Sequence, residues 1–394
     1  MVHRTLNISK INSFFLFGAR GTGKTHYLRK HFEGDSALNI DLLDDETLRR
    51  LSKTPSLLNS EYLAHRTTSN SPWIVIDEIQ KLPDLLNVVH KMLEAKTTSK
   101  PLFALTGSSS RKLKRGGANL LGGRAFVFGL FPFTHIELAE TFDLMAALTY
   151  GTLPKIFDFE QNKDRVRFLR SYVSTYIKEE IIAEQLLRKV EPFRDFLEVS
   201  AQMSSKILNV AKIASDVGVD PKTVSVYFSI LEETYMGFRL PAFHESIRKA
   251  QRLHPKFYWF DTGVRRTLND TIEYPPAPGT SYFGELFEEF VMNEIYRMNS
   301  YSEKNYTMSY LATQNSKTEV DLILDKARGR VRIGVEIKSS TSIDEGEVLA
   351  LSKVGQDFKA TKLYYLSQCP HDAIINGVHC MDWRRGIRDI FPID

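Results

Sequence analysis

The chain has 394 residues, 42% hydrophobic and 25% charged, proportions that suit a globular protein of two or three domains. A formal net charge of +4 permits a nucleic-acid partner without requiring one, because a basic stripe and not a total binds phosphates. Two cysteines, Cys369 and Cys380, are too few for a disulfide framework or a cysteine zinc site. No apolar run reaches the ~18 residues of a membrane span, and the first residues lack the apolar core of a signal peptide, so a cytoplasmic protein without a membrane partner is expected.

In chain order, Phe14 to Phe17 read as a short buried strand and His26 to Phe32 as a helix. Between them, Gly18-Ala19-Arg20-Gly21-Thr22-Gly23-Lys24-Thr25 fits the phosphate-loop pattern G-x-x-x-x-G-K-[ST] at every fixed position. Gly18 and Gly23 let the backbone turn tightly and approach a polyphosphate. The freed N–H groups of the loop, Gly21 and Thr22 included, then face the anion together with the helix N-terminus. Lys24 is expected to reach the β and γ phosphates of ATP, and the Thr25 hydroxyl to ligate Mg²⁺. The bland alternative is a plain glycine turn.

Ala37 to Leu43 read as a second strand, and Asp44-Asp45-Glu46 as the acidic start of a helix. The run Trp73-Ile74-Val75-Ile76-Asp77-Glu78 is an apolar strand that delivers two carboxylates at its end, where ligands bind in open α/β sheets. Asp77 is the expected partner of Mg²⁺ and Glu78 the expected base for the attacking water. Leu102 to Leu105 form a third strand, ending in Thr106-Gly107-Ser108-Ser109-Ser110. Farther on lie the basic residues Arg111, Lys112, Lys114 and Arg115, which read as a solvated helix face or a DNA contact, and then Gly122-Gly123-Arg124.

The stretches "LFGARGTGKT", "WIVIDEIQKLPDLL", "LTGSSSRKL" and "LLGGRAFVFGLFPFTHIEL" together resemble a group of bacterial and archaeal AAA+ ATPases. In that group a winged-helix segment and a restriction-endonuclease-like domain follow the ATPase. The landmarks "YGTLPKI", "KFYWFDTGVRRTL", "GELFEEFV", "TEVDLIL" and "VEIKSS" match in order, so the resemblance covers nearly the whole chain. It implies that Ser108 or Ser109 senses the γ-phosphate, the alternative being a serine-rich turn that caps a helix. It also fits Arg124 as an arginine finger for a neighbouring subunit, the alternative being an internal ion pair.

From Phe142 to about Ser205 the pattern is helical, with a break at Gly151-Thr152-Leu153-Pro154. The stripe Phe168, Leu169, Tyr172 and Tyr176, within a helical stretch from Arg165 to Leu187, reads as core. Asn209 to Glu233 read as helix-turn-helix: Val210, Ile213, Ala214 and Val217 form an apolar face and Gly218 the turn. Asp220 can cap the second helix and Pro221 suits its first position. Gly237 to Phe243 and Lys256 to Phe260 are candidate wing strands. Lys222, Thr223 and Ser225 would then face DNA, unless the module only packs between domains.

Tyr274-Pro275-Pro276-Ala277-Pro278-Gly279 is a stiff break, after which Phe283 to Arg297 read as a helix with Glu288 at the margin of its apolar side. Glu319 to Leu324, Val331 to Ser339 and Lys362 to Leu366 read as strands. Asp321 and the pair Glu336-x-Lys338 have the spacing of a PD-(D/E)XK nuclease, with both members of the pair on one strand face. Asp321 and Glu336, helped by Glu288, would hold a second divalent metal, Mg²⁺ or Mn²⁺, and Lys338 would act on the attacking water or steady the phosphate. E-x-K arises by chance about once in a chain this long and recurs at Glu94-Ala95-Lys96, so the ordered set carries the weight; the alternative is a fold whose acids only pair. Cys380 to Ile393 read as a closing helix with Arg384, Arg385 and Arg388.

The expected architecture is therefore an α/β multi-domain chain. It has an AAA+ phosphate-loop domain over 1–141, a helical segment with a winged helix over 142–260, and a nuclease-like domain over 261–394. The expected function is ATP hydrolysis that remodels or moves along DNA, in repair of branched forms for example, as a homo-oligomer such as a hexameric ring. The second expectation is an ATP-dependent switch that binds a protein partner and carries an inactive nuclease-like fold.

Overall fold

The structure is a computed structural model, and it describes residues 2–95, 100–109, 113, 121–176, 191–246, 250, 253–312 and 319–392. The basic residues Arg111, Lys112, Lys114 and Arg115, together with Lys96, Ser110, 177–187 of the expected helix and Ile393, lie outside the described residues. The chain divides into two compact units: Leu6–Pro132 with Ile230–Met236, and Met1–Thr5 with Phe133–Ser229 and Gly237–Asp394.

The first unit is built on a five-stranded sheet of β1 (Ser13–Phe17), β2 (Leu38–Asp41), β3 (Trp73–Asp77), β4 (Leu102–Gly107) and β5 (Ala125–Gly129), in the order β2-β3-β4-β1-β5. Every pairing is parallel. Helices α1 (Lys24–His31), α2 (Asp45–Lys53), α3 (Leu57–Thr68) and α4 (Leu85–Glu94) connect the strands. A parallel sheet covered on both faces needs continuous apolar strands, and all five residues of β1 and of β3 are buried. Alternation along β1 divides its aromatics between the faces. Phe15 and Phe17 join Ile74, Ile76, Phe103 and Leu105 in one core, while Phe14 packs on Phe32, Trp73 and Phe128 on the other face. Asp44 caps α2 as expected, accepting from the Thr47 backbone N–H.

The second unit contains the helices His135–Leu138, Leu144–Tyr150, Asn162–Tyr176 and Glu191–Gln202 in its first part. Leu169 and Tyr172 are buried, in keeping with a core stripe. Helices Val210–Val217 and Pro221–Glu233 follow, joined through Gly218. Asp220 accepts from the backbone N–H groups of Lys222 and Thr223. Strands β6 (Gly237–Leu240) and β7 (Lys256–Trp259) then pair antiparallel as a two-stranded ribbon.

A six-stranded mixed sheet completes the unit: β8 (Thr307–Ala312), β9 (Glu319–Lys326), β10 (Val331–Ile337), β11 (Lys362–Ser367), β12 (Ala373–Ile375) and β13 (Val378–Asp382), in the order β12-β13-β11-β10-β9-β8. The closing helix is shorter than expected, Trp383–Ile390. The first residues of that expectation belong to β13, because Val378, Cys380 and Asp382 alternate inward and pair in parallel with β11. Arg384 and Arg385 are engaged locally, with Asp382 and Asp372.

The long helix Ser281–Tyr301 is the spine of this unit, and it buries charge as well as hydrocarbon. Arg297, 2% exposed, donates to the carbonyls of Phe133 and Phe260, to Thr152 Oγ1 and to Glu294. Glu294 also bonds His135. Trp383 packs edge-on against His135, Phe142 and Phe290. Residues around 133–152 and 260 therefore share one buried network with the C-terminal sheet domain. Removing one member of a buried, bonded charge set strands the others. Arg297→Ala is expected to cost about 3–5 kcal/mol in urea unfolding, and Arg297→Lys a large part of that, because Lys cannot fork to four acceptors.

Candidate functional site

At the carboxyl ends of β1, β3 and β4 the expected nucleotide residues meet. The loop after β1 turns at Gly21 and Gly23, with φ of 79° and 90°. A Cβ on Gly18 would lie 2.1 Å from the Leu130 carbonyl oxygen, so the loop can run this close to the chain only with glycine there. Thr22 is buried and its hydroxyl donates to Ala19 O at 2.9 Å. Lys24 is 5% exposed, and its ammonium donates to Gly18 O at 2.8 Å and Ala19 O at 3.1 Å. The loop carbonyls thus fix the ammonium beneath the turn. Gly23 caps α1, and the helix's first backbone N–H groups have no intrahelical acceptor.

Asp77 ends β3 and joins the three strand ends. Its Oδ2 accepts from Thr25 Oγ1 at 2.6 Å, and its Oδ1 accepts from Thr106 Oγ1. Thr106 Oγ1 in turn accepts the Glu78 backbone N–H at 3.0 Å. Glu78 sits at φ 59°, ψ 45°, a left-handed conformation uncommon for a side-chain-bearing residue and suggestive of a functional position. Gln80 was not singled out by the sequence. It is 1% exposed, and its amide donates to the Glu78 carboxylate and to Ser108 Oγ at 3.0 Å. The 3₁₀ turn Ile79–Lys81 folds it back beside Glu78, which spacing alone could not reveal. Ser108 and Ser109 are both buried just past β4. Arg124 is half-exposed and pairs with Glu94 at 2.6 Å. Among the described residues Arg124 thus makes the internal ion pair, and its other guanidinium nitrogen donates to Gly122 O at 3.4 Å.

These residues fit ATP and Mg²⁺. A glycine loop approaches its own backbone, a buried ammonium is held under it, and a hydroxyl and a carboxylate suited to an octahedral oxygen-loving cation already touch.

The second group of expected site residues lies in the other unit. Asp321 on β9 is 7% exposed and accepts the Ile337 backbone N–H at 2.8 Å. Glu336 on β10 is 9% exposed; its Oε1 lies 2.6 Å from Lys338 Nζ, and its Oε2 has no hydrogen-bond partner among the described residues. Glu288 reaches across to the ribbon and accepts from Tyr258 OH at 2.8 Å. Lys256, from the same strand β7, is 4% exposed and lies 2.5 Å from Glu319 Oε1 and 3.7 Å from Glu288 Oε1. Sequence reasoning placed Lys256 only in a wing strand. Its role depends on which sheet edge the ribbon meets.

Burial, reinforced by the charge of Asp321, pushes the Glu288 carboxyl up to about 7 and Glu336 up to about 8. Burial raises Asp321 too, against the pull of Lys338 and Lys256. Burial alone would lower both lysines, but the surrounding carboxylates push both up.

The expected second metal site is not found. Among the described residues no three or more His, Cys, Asp or Glu side chains form a group that could hold a metal ion. The physical reason is visible in the contacts: Lys338 takes Glu336, Tyr258 takes Glu288, and Lys256 stands between Glu288 and Glu319. As folded, these residues do not fit a divalent metal.

The raised carboxyls have a consequence for stability. The folded state keeps protons that the unfolded chain releases near the ordinary 4.5, so the acids weaken the fold as pH rises from there towards about 8. Below the ordinary value both states hold the protons and the difference vanishes. Thermal melts in a chelator between about pH 5 and 8 are expected to fall more steeply for the native chain than for the double substitution Glu288→Gln with Glu336→Gln.

Residues 10–139 match a family model described as an AAA domain. Residues 141–273 and 283–382 match two models described as domains of unknown function, DUF8612 and DUF4143. Similar curated proteins are the uncharacterized proteins Rv2008c of Mycobacterium tuberculosis and Mb2031c of Mycobacterium bovis. Each is 25% identical over 221 residues, 55% of this chain and 50% of the relative. The chain therefore spans about half the length of the curated relatives it matches. A solved structure of a RuvB variant from Thermotoga maritima is similar at 18% identity over 58% of this chain and 82% of that chain, with a TM-score of 0.28. No described helix is long and apolar enough to cross a membrane. The chain thus carries an N-terminal AAA domain with a five-stranded parallel sheet, a helical middle and a C-terminal domain on a mixed sheet, the last two matching models described as domains of unknown function.

Proposed function

We propose that this chain is an ATP-hydrolysing AAA protein that acts on DNA as a homo-oligomer. The observation that carries the ATPase half is the bonded series Thr25–Asp77–Thr106–Glu78 at the mouth of the glycine loop. Bound Mg²⁺-ATP supplies the phosphoanhydride bond and the Lewis acid that draws charge from it. The protein's part is to position and to move one proton. The backbone N–H groups from Gly21 to Thr25 bind the polyphosphate. Lys24 would exchange its two carbonyl bonds for phosphate oxygens, and Thr25 and Asp77 would hold the cation. Glu78 takes the proton of the attacking water. Gln80, bonded to Glu78 and Ser108, sets where that carboxylate points.

The DNA half is supported by the paired helices Val210–Val217 and Pro221–Glu233 followed by the ribbon β6–β7, the order of a winged helix-turn-helix. Lys222 and Ser225 are exposed on the second helix, and Thr223 is partly so. In this reading the C-terminal domain, a restriction-endonuclease-like fold, grips DNA and does not cut it. Arg124 leaves Glu94 and serves the nucleotide of a neighbouring subunit, in a ring or another assembly. The self-paired carboxylates also favour, as a second reading, a switch that binds a protein partner in place of DNA.

Phosphate release measured with and without duplex and branched DNA tests the proposal. Lys24→Ala is expected to abolish turnover and nucleotide affinity. Glu78→Gln is expected to keep affinity while lowering turnover by about 10²-fold or more. DNA is expected to stimulate the native chain; equal rates with and without it would favour the protein-partner reading. Arg124→Ala is expected to lower turnover and to be rescued by mixing with the Lys24→Ala chain, since each supplies what the other lacks; failure of that complementation would leave Arg124 an internal ion pair.

A further inference from the structure

The C-terminal carboxylates pose a charge problem that the chain solves from within. Glu288, Asp321 and Glu336 come from a helix and two strands, and the exposed Glu319 adds a fourth acid at the start of β9. Buried acids repel one another and need a cation. A divalent metal is one solution, and this chain contains another.

Lys256 enters from β7, outside the six-stranded sheet. Its Nζ lies 2.5 Å from Glu319, 3.7 Å from Glu288 and over the Tyr310 ring at 5.4 Å from the centroid. It is 4% exposed, so it is not a surface lysine that happens to reach an acid. Its backbone is fixed as well: Lys256 pairs with Leu240 across the ribbon and bridges to Ile207. Tyr258 lies two residues on, on the same strand face, and donates to Glu288. One strand thus supplies both an ammonium and a hydroxyl to the acids. From the other side, Lys338 binds Glu336 and lies 3.9 Å from Glu347.

We propose that Lys256 is the resident cation of this carboxylate cluster, so that the native chain does not load a divalent metal there and loss of the ammonium opens a metal site. The geometry gives the reason. The backbone of Lys256 is fixed by strand pairing, and its ammonium is buried between Glu319 and Glu288. A divalent ion would have to enter beside a fixed positive charge a few ångströms away, which costs strongly in a site shielded from water. Lys338, one-third exposed on a flexible stem, has freedom that Lys256 lacks. This inference stands apart from the ATPase reading, because every residue in it lies in the second unit.

The experiment is a Mn²⁺ titration of the full-length chain without nucleotide, followed by calorimetry and by Mn²⁺ paramagnetic resonance. All chains carry Asp77→Asn, so that the nucleotide site contributes no cation. Lys256→Met, which keeps the stem and removes the charge, is expected to gain one Mn²⁺ per chain at least about tenfold tighter than any binding by the parent. Lys256→Arg is expected to gain none. Adding Asp321→Asn to Lys256→Met is expected to remove the new site. Circular dichroism reports folding, and Lys256→Gln replaces Lys256→Met if the latter does not fold. Two results would overturn the proposal: tight Mn²⁺ binding by the parent that Asp321→Asn removes, or folded Lys256→Met and Lys256→Gln chains that gain no site.

Discussion

Charge taken out of water must be met by a partner held in place, and both units of this chain are arranged around that requirement. In the first unit a single carboxylate, Asp77, accepts hydroxyl donors from two neighbouring segments, Thr25 and Thr106. In the second, Arg297 gathers carbonyls and a carboxylate from three stretches of chain, and Lys256 and Lys338 stand among four acids. The apolar cores fill the layers, but these polar contacts decide which loop ends meet.

The two groups of expected site residues then differ in what they lack. Lys24 spends its ammonium on loop carbonyls, and the first N–H groups of α1 have no intrahelical partner. Free N–H groups at a helix N-terminus beside a glycine loop suit a polyphosphate. At the C-terminal sheet the acids already have lysines and a tyrosine hydroxyl, and only one oxygen, Glu336 Oε2, is buried without a partner among the described residues. The sequence resemblance alone implies a metal at that second place, whereas the contacts seen there are with lysines and a tyrosine hydroxyl.

Much of the fold is legible in the sequence because its signals are local. The apolar runs of β1, β3 and β4, the glycine loop, the Asp44 cap and the turn at Gly218 each depend on neighbours within a few residues. Where expectation and structure part, the deciding contact is distant. Cys380 was read into a helix because its segment leads into Arg384 and Arg388, yet pairing with β11 makes it strand. Gln80 carries no signal in the sequence, and it is the 3₁₀ turn that sets it against Glu78 and Ser108.

The sequence by itself determined the elements and the residue types that can handle phosphate: Gly18 to Thr25, then Asp77 and Glu78 at the end of an apolar strand. It also determined that Asp321, Glu336 and Lys338 lie on adjacent segments of alternating pattern. Only the tertiary structure decided that Arg124 meets Glu94 and that Lys256 enters among the C-terminal acids. The physical reason is one of range. Backbone preference and hydrophobic period act over a few residues, whereas the partner of a charge is set by whichever distant segment the fold brings within about 4 Å.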